Sequence, residues 1–264
     1  MPNQQHPRDR ALAEIHRIME RELRGREKLR VLEAGCGSIS YIAFPTESYL
    51  VGIDISEAQL TKNTYLDEKL LGDIESYDLP VEDFDVIVCW NVFEHLPHPE
   101  HALSRFANAI NPGGLVILAL PNALSVKGLV TKFTPFRFHV WVTRHLVGRR
   151  LAGTEGNPPF PTFMRFSIAP RKLVEATREL GLSVVYSSLF EDNKQQTIRR
   201  KLLIDGARWR FLQRVVKLVT LGKIETARAQ CVFVFQKTPA PDRSTADLGP
   251  EWPTPARQAR INHS

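Results

Sequence analysis

Cysteine is scarce in this sequence, and its spacing carries no motif. The three cysteines are Cys36, Cys89 and Cys231, and none forms a CxxC pair with another. Each lies in or beside an apolar run typical of a strand, which favours reduced thiols with a structural role. The sequence therefore argues against a disulfide framework and against a zinc site, and we predict no bound metal.

Long apolar runs are also missing. No stretch reaches the roughly 18 uninterrupted apolar residues that a membrane span needs. The amino-terminal residues MPNQQHPRDR contain no apolar core of a signal peptide. On this basis we expect a cytoplasmic protein.

The composition that is present suits one globular domain. The chain has 264 residues, of which 43 % are hydrophobic, enough to bury a substantial core in one α/β domain with insertions. The formal net charge is +6, and the sequence pI is near 9.3. This charge suits a phosphate-bearing or anionic-surface partner, and it is equally compatible with a mildly basic protein that has no such partner.

Apolar runs that predict strands alternate with segments of helical periodicity. Asp9 can cap a first helix that ends near Gly25. The predicted strands cover residues 29–33, 49–54, 84–90, 115–120, 183–190 and 231–237, and later helices cover residues 56–66, 99–110 and 170–180. Continuous apolar runs such as VIVCW and LVILAL are typical of parallel strands buried on both faces. The pattern predicts a doubly wound α/β fold.

Two stretches interrupt this alternation. Residues 122–169 are basic, aromatic and proline-rich, and residues 191–229 are irregular with some helical spacing. We interpret both as cap insertions on the substrate side of a single domain that covers residues 1–237. Residues 238–264 are rich in proline and charge and poor in large apolar side chains, which predicts a disordered tail.

The segment VLEAGCGSIS leads from a predicted strand into a glycine turn. Gly35 and Gly37 would let the backbone turn sharply and approach a ligand closely. VGIDIS follows at the end of the next strand, where the carboxylate of Asp54 can accept both ribose hydroxyl groups of an adenosine ligand. Two neighbouring strand ends thus predict one adenosine-binding site.

A third candidate acid lies in LGDIESYDLP, ahead of the strand FDVIVCW. Here Asp73 could accept a hydrogen bond from an adenine amino group, while Ile74 packs on the ring. The alternative for Asp73 is an ordinary turn or cap aspartate.

Together these motifs resemble the class I S-adenosylmethionine-dependent methyltransferases, and more narrowly the small-molecule group called type 11 or type 23. The resemblance covers about residues 31–122 and includes the fourth-strand motif FDVIVCWNVFEHLPHP and the fifth-strand motif NPGGLVILALPN. It implies a Rossmann-like, seven-stranded, mostly parallel sheet and S-adenosyl-L-methionine as cofactor. It places Glu33, Gly35 and Gly37 under the methionine part of that cofactor. It places Asp54 at the ribose and Asp73 beside the adenine.

Two features depart from the family pattern. The third glycine of the loop is replaced, so that Ile39 stands in GCGSIS, and the short stretch up to Asp54 contains Pro45. We therefore expect a truncated first crossover helix. A NAD-dependent dehydrogenase is the main competitor on the same fold, but its fingerprint needs GxGxxG opening a full helix, and EHLPHP fits a methyltransferase better.

The tetrapeptide NPPF at residues 157–160 resembles the motif of enzymes that methylate amino groups of DNA bases or glutamine. In those enzymes it follows the fourth strand directly, beside the methyl group. Here that place is held by Trp90, Asn91 and Val92, and we include Asn91 among the cofactor-binding candidates. NPPF is then a proline-shaped loop, which argues against methylation of nucleic-acid bases.

Methyl transfer from a sulfonium is an in-line displacement, so the protein mainly aligns the reactants and excludes water. A general base helps if the acceptor is a hydroxyl, and His95 lies at the carboxyl edge of the sheet, beside the expected methyl position. The alternative for His95 is a structural role at a helix start. Glu94 could be a cofactor-side or helix N-terminal carboxylate. His139 and His145 are weaker base candidates.

These expectations combine into a methyltransferase that acts on an oxygen of a small or lipid-like metabolite, with oxygen favoured over nitrogen or carbon. A sugar hydroxyl in a glycolipid or polysaccharide pathway is the enzymatic alternative. A noncatalytic cofactor-binding scaffold is the alternative of another class.

The insertions mix apolar and basic side chains. Residues 127–150 contain no acidic residue, and residues 194–223 place apolar side chains at roughly helical spacing among arginines and lysines. This pattern fits peripheral contact of an interfacial helix with an anionic membrane, and it fits a packed cap helix with a solvated basic face at least as well. We predict no nucleic-acid partner, because no recognition motif accompanies the charge.

Overall fold

A computed structural model of the chain describes residues 6–154 and 159–238. Its strands are β1 (Arg30–Ala34), β2 (Tyr49–Asp54), β3 (Glu68–Leu71), β4 (Phe84–Trp90), β5 (Ile110–Pro121), β6 (Leu182–Phe190) and β7 (Gln230–Lys237). They form one seven-stranded sheet in the order β3-β2-β1-β4-β5-β7-β6. Strands β1 to β5 run parallel to one another, and β7 runs antiparallel to both of its neighbours, β5 and β6. The predicted Rossmann-like, mostly parallel sheet is confirmed.

The described residues also form eight α-helices around this sheet. They are α1 (Pro7–Glu22), α2 (Glu57–Lys62), α3 (Pro99–Ala109), α4 (Val126–Phe133), α5 (Phe136–Val142), α6 (Pro170–Glu179), α7 (Asn193–Lys201) and α8 (Gly206–Val219). A 3-10 turn at Phe93–His95 follows β4, and a π-helical turn at Thr143–Val147 follows α5. Across the described ranges, none of the helices combines the length and the apolar character needed to cross a membrane.

Strands β2 and β4 have the predicted bounds, whereas two helix ends differ because of local capping. Asp9 does not cap α1, since Pro7 occupies the first helical position and the ring Nδ1 of His6 accepts from the backbone N–H of Arg8 at 3.2 Å. Helix α2 ends at Lys62, short of the predicted residue 66. Asn63 there adopts an extended conformation, and its side chain donates to the carbonyl of Gly37.

The core has two layers, one on each face of the sheet. On one face, Ile15 and Ile18 of α1 pack in a cluster with Val86 and Ile117 of the central strands. On the other face, α3 and α6 cover a larger cluster that includes Phe106. Residues 35–48, all of them described, form no helix between β1 and β2. The first crossover helix is therefore absent rather than shortened, and α1 covers the sheet beside it.

Both insertions start from the sheet edge at which the parallel strands end. Pro121 at the end of β5 and Phe190 at the end of β6 both pair with Gln230, the first residue of β7. The described parts of both insertions, residues 122–154, 159–169 and 191–229, thus leave the sheet at the same edge. The single-domain interpretation stays a prediction. The tail after Thr238 and the first half of the NPPF motif lie outside the described residues.

The two insertions also hold each other through polar contacts. Lys194 Nζ in the second insertion donates to the hydroxyl of Thr143 in the first at 2.9 Å, and Lys127 of the first insertion forms an ion pair with Asp192 of the second. Burial lowers the pKa of Lys194 to about 8. The base of the cap is therefore a connected structure that joins α7 to the turn after α5.

Candidate functional site

The first three strands place the predicted cofactor residues at one edge of the sheet. The N–H of Gly35, directly after β1, donates to the carbonyl of Ile53 in β2 at 2.8 Å. The N–H of Gly72, directly after β3, donates to the carbonyl of Asp54 at 3.0 Å. Because parallel strands end together, the glycine turn, Asp54 and Asp73 lie in sequence along this edge.

The carboxylate of Asp54 is held in place by the backbone around it. Its Oδ2 accepts from the N–H of Gly37 and its Oδ1 from the N–H of Ser56, both at 2.8 Å. An ionised carboxylate has about four acceptor positions. Each oxygen of Asp54 can therefore accept one further hydrogen bond, which is the number that the two ribose hydroxyls need.

The two glycines of the turn have different reasons to be glycine. Both have positive φ, +66° at Gly35 and +55° at Gly37. A Cβ at Gly35 would lie 2.5 Å from Cγ2 of Val92, so the turn packs directly on the residues after β4. A Cβ at Gly37 would meet no heavy atom within 4 Å. Gly35 is thus constrained by packing, whereas Gly37 is constrained by backbone conformation alone.

Glu33 near the end of β1 carries an unsatisfied buried oxygen. The residue is 4 % exposed, its Oε2 accepts from the hydroxyl of Ser40 at 2.6 Å, and its Oε1 is buried without a partner. Burial raises the pKa of the Glu33 carboxyl, against the effect of Ser40. Buried acceptors are almost always paired in folded proteins. The free Oε1 therefore fits a ligand that brings its own N–H donor, as the amino group of S-adenosylmethionine would.

Sequence reasoning missed an aromatic and cationic group beside this oxygen. Glu33, Tyr41 and Trp90 line one small concavity, together with Ala34, Gly35, Cys36, Ile39 and Val88. The rings of Tyr41 and Trp90 stack with centroids 5.6 Å apart. The guanidinium carbon of Arg8 lies 5.3 Å from the first centroid and 5.7 Å from the second. Helix α1 thus brings a cation to two of the rings that line this concavity.

Arg8 also has a hydrogen-bond donor without a partner. Arg8 Nε is buried without a hydrogen-bond partner, like the Oε1 atom of Glu33. A buried acceptor in the concavity and a buried donor over the rings that line it match the amino group and the carboxylate of an amino acid. No spacing in the sequence signals Arg8, because it reaches the site only when α1 packs on the sheet.

The predicted adenine side is an exposed turn. Asp73 is exposed, and its Oδ1 accepts from the N–H of Glu75 at 2.9 Å, as in an ordinary aspartate turn. Ile74 is 4 % exposed and belongs to the core cluster on the α3 side of the sheet. Its side chain offers little exposed surface, so its packing on an adenine ring stays a prediction, whereas the Asp73 carboxylate keeps free acceptor positions.

Asn91 follows β4 in a left-handed conformation, with φ of +56°. Asparagine tolerates this conformation better than most residues. Its side-chain oxygen accepts from the amide of Gln230 at 2.8 Å, and its N–H donates to Ala119 at 2.6 Å. Asn91 thus links the end of β4 to the start of β7, the residue at which the second insertion rejoins the sheet.

His95 connects the 3-10 turn after β4 to the first insertion. Its Nδ1 lies 2.6 Å from the carbonyl oxygen of Pro161, and its ring meets that of Phe160 edge-on at 6.1 Å. A carbonyl only accepts, so Nδ1 carries the proton and Nε2 is the basic atom of the neutral ring. His95 is not among the residues that line the concavity at Glu33. It lies instead between the strand ends and the cap.

Glu94, beside His95, is almost fully buried. Its backbone carbonyl accepts from the N–H groups of Phe163 and Met164, both at 3.0 Å, and its Oε2 has no partner. Burial raises the pKa of the Glu94 carboxyl, and His95, whose Nε2 lies 3.9 Å from Oε1, acts in the opposite direction. Glu94 is therefore buried beneath the cap rather than placed at a helix N-terminus in solvent.

The other two histidine candidates have partners inside the first insertion. His139 Nε2 lies 3.1 Å from the carbonyl oxygen of Thr134. His145 packs on the ring of Trp141 with centroids 5.4 Å apart. The cysteines, Cys36, Cys89 and Cys231, are all free and buried.

Comparison with known proteins agrees with this geometry. Residues 4–186, more than half of the chain, match the family model of a type 23 methyltransferase domain. A ubiquinone biosynthesis O-methyltransferase of Neisseria meningitidis is 29 % identical over 183 residues, which is 62 % of this chain and 66 % of the relative. A protein of the same name from Rhodopseudomonas palustris is 30 % identical over 153 residues, 48 % of this chain and 59 % of the relative. The chain thus spans less than two thirds of these relatives' lengths.

Solved structures share the fold at low sequence identity. An S-adenosylmethionine-dependent methyltransferase from Mesorhizobium loti has a TM-score of 0.50 and 15 % identity, over 88 % of this chain and 99 % of its own. The [4+2]-cyclase SpnF has a TM-score of 0.52 and 14 % identity, over 87 % and 82 %. Since one of these structures is named as a cyclase, the likeness shows the fold alone. The family match is more specific, and by that match the chain belongs to the type 23 methyltransferase family.

Proposed function

We propose that the enzyme transfers the methyl group to a hydroxyl oxygen of a small, lipid-like acceptor. The observation that carries this proposal is the hydrogen bond from His95 Nδ1 to the carbonyl of Pro161. It leaves Nε2 as the basic atom, oriented by the cap itself. A hydroxyl must lose its proton as it attacks, so a fixed base is of most use to this class of acceptor.

The names of the sequence relatives support the same reaction class. Both relatives described above are named as O-methyltransferases of ubiquinone biosynthesis. A quinone precursor is a lipid-like phenol, and the cap here presents apolar side chains such as Phe160 and Phe163 around His95 and Glu94. An apolar acceptor with one reacting hydroxyl is the chemistry that this surrounding favours.

The cofactor is held, in this proposal, by groups that have unused hydrogen-bonding capacity. Glu33 Oε1 accepts from the amino group of the methionine part, and Arg8 donates to its carboxylate. The free acceptor positions of Asp54 take the ribose hydroxyls, and those of Asp73 take the adenine amino group. The rings of Tyr41 and Trp90, which line the same concavity, would supply an aromatic surface for the sulfonium.

The chain's own residues then perform three tasks. Bound S-adenosylmethionine supplies an electrophilic methyl group on a sulfonium. The glycine turn and Asp54 fix its position, and the cap excludes water from the strand ends. His95 accepts the acceptor's proton at Nε2. Glu94, 3.9 Å from that atom, stabilises the resulting imidazolium.

Steady-state kinetics with a prenylated phenol test this proposal, using release of S-adenosylhomocysteine as the signal. We expect His95→Ala to lower kcat by about 100- to 10,000-fold, with little change in the affinity for S-adenosylhomocysteine. His95→Gln separates the base from the tether, because its amide can still donate to Pro161 but cannot take a proton. His101→Ala, an exposed histidine of α3, is the matched control and should keep its activity.

The outcomes discriminate clearly. If His95→Gln restores turnover to within a few fold of the wild type, the residue is a structural tie and the base is elsewhere. If the enzyme methylates the aniline analogue and leaves the phenol unchanged, oxygen is the wrong acceptor atom.

A further inference from the structure

Helix α8 presents an apolar stripe away from the protein. None of its 14 residues is buried. Its partly buried positions are Trp209, Gln213 and Val216, which recur at helical spacing and so mark the face toward the body. Phe211, Val215 and Leu218 recur at the same spacing on the opposite face, with exposed fractions of 69 %, 38 % and 78 %. The helix is therefore apolar on the side that faces solvent.

The stripe extends beyond the helix at both ends. Leu203 is 71 % exposed before α8, and Val219 and Leu221 are 76 % and 82 % exposed at its end and after it. Large contiguous apolar patches on a soluble protein mark interaction surfaces, whereas single exposed apolar residues do not. Together with Phe211, Val215 and Leu218, these three residues make a set of six side chains, which we name the α8 stripe.

The sequence around the α8 stripe is rich in lysine and arginine and contains almost no acidic residues. Residues 194–223 contain nine lysines and arginines and one acid, Asp205. That acid is already paired with Arg199. In α8 itself, Arg210, Arg214 and Lys217 lie on one flank of the stripe, and no acidic residue is present in the helix. The surface is therefore apolar at its centre and positive at its side.

We propose that the α8 stripe inserts into the surface of an anionic lipid bilayer. Burial of apolar side chains at the acyl boundary and attraction of the flanking cations to anionic headgroups act together in such a helix. A second copy of this chain fits less well, because a two-fold interface would bring the same cations against each other. The structure thus favours the interfacial interpretation over a packed cap with a solvated basic face.

The second insertion, which contains α8, is connected to the sheet edge that carries the cofactor residues. The second insertion leaves and rejoins the sheet at Phe190 and Gln230, at the same edge as the cofactor residues. Gln230 also donates to Asn91, at the end of β4. A bilayer under α8 would therefore lie near the mouth of the site. The suggested benefit for acceptor access rests on the proposed lipid-like acceptor, but the proposed binding of α8 to the bilayer does not.

Vesicle co-sedimentation of the full chain tests the inference without cofactor or acceptor. We expect binding to phosphatidylcholine vesicles that contain about one third phosphatidylglycerol, weak binding to pure phosphatidylcholine, and loss of binding as salt shortens the Debye length from about 10 Å to about 3 Å. Phe211→Ser/Leu218→Ser should weaken binding by at least about tenfold, and so should Arg210→Glu/Arg214→Glu.

A matched control separates the α8 stripe from general surface hydrophobicity. Val81 is 75 % exposed, close to the 78 % of Leu218, but lies just before β4 at the opposite edge of the sheet. Val81→Ser should bind vesicles like the wild type, while Leu218→Ser should not. Far-UV circular dichroism of each variant establishes that it is folded.

Three results would overturn the inference. The first is no binding to anionic vesicles at low salt, and the second is equal loss in Val81→Ser and Leu218→Ser. The third is a dimer in light scattering that Phe211→Ser/Leu218→Ser converts to a monomer, with vesicle binding unchanged. A protein that binds vesicles but methylates no hydroxyl would leave this inference standing and remove the proposed function.

Discussion

The glycine turn after β1 allows two costs of an alanine substitution to be measured separately. At Gly35 the new Cβ would lie 2.5 Å and 2.7 Å from the two γ-carbons of Val92, and φ is +66°. At Gly37 the φ is +55°, but nothing lies within 4 Å of the new Cβ. Gly35→Ala therefore combines backbone strain with a clash, whereas Gly37→Ala contains the strain alone.

The expected magnitudes follow from this difference. A left-handed backbone costs an alanine about 1–2 kcal/mol relative to glycine, so Gly37→Ala should lower the free energy of unfolding by that amount. The clash at Gly35 adds about 1–3 kcal/mol, because the β-branched Val92 side chain has few alternative rotamers. Gly35→Ala should thus cost roughly 2–5 kcal/mol in all. In the double variant Gly35→Ala/Val92→Ala the clash is removed, and about 1–3 kcal/mol should be recovered.

Urea denaturation and calorimetry of S-adenosylhomocysteine binding measure the two effects. Gly181→Ala is the control, because Gly181 follows α6 with φ of +75° and open space around its Cβ position. It should lose about the same stability as Gly37→Ala and bind the ligand like the wild type. Gly37→Ala should bind more weakly, since the N–H of Gly37 holds the Asp54 carboxylate. Equal unfolding free energies for Gly35→Ala and Gly37→Ala, with no recovery in the double variant, would refute the packing argument.

Two further predictions concern charged groups of the site. Asp54→Ala and Arg8→Gln should each weaken the binding of S-adenosylhomocysteine measured by calorimetry. The expected loss is up to about 3–6 kcal/mol for Asp54→Ala, which removes two charge-assisted hydrogen bonds, and about 1.5–3 kcal/mol for Arg8→Gln, which removes one. Unchanged affinity in either variant would remove that residue from the site. Burial raises the pKa of Glu94 above its ordinary 4.5, so its stabilising effect is complete below that pH and is lost as pH rises toward the folded-state pKa. Urea unfolding should then find Glu94→Gln increasingly more stable than the wild type as the pH rises above the ordinary pKa of 4.5, and parallel pH curves would contradict this.

Much of the fold could be read from local pattern. The apolar runs of β2 and β4 predicted both strands with the observed bounds, because such runs are buried on both faces of the sheet whatever surrounds them. The short strand β3 has no such run and is missing from the strands predicted from the pattern. Helix ends were less predictable, since His6 caps α1 through a ring nitrogen and Asn63 ends α2 by bonding a distant carbonyl.

The cofactor residues show which positions the local sequence pattern could predict and which it could not. Sequence alone predicted that Gly35, Gly37 and Asp54 follow neighbouring strands, and parallel strands must end at one edge. It did not predict that Arg8 lies over the concavity or that the Ile74 side chain is buried in the core. Those positions depend on how α1 and α3 pack against the sheet, and helical periodicity specifies a face without specifying its neighbour.

By itself, then, the sequence determined the α/β fold, the order of the cofactor motifs and the family to which they belong. Only the tertiary structure decided that His95 meets Pro161, far along the chain, and so which of its nitrogens is basic. It also decided that the apolar stripe of α8 faces solvent, since a helix with apolar residues around most of its surface can pack by either side. The physical reason is the same in both cases: contacts between distant segments form only when the whole chain is folded.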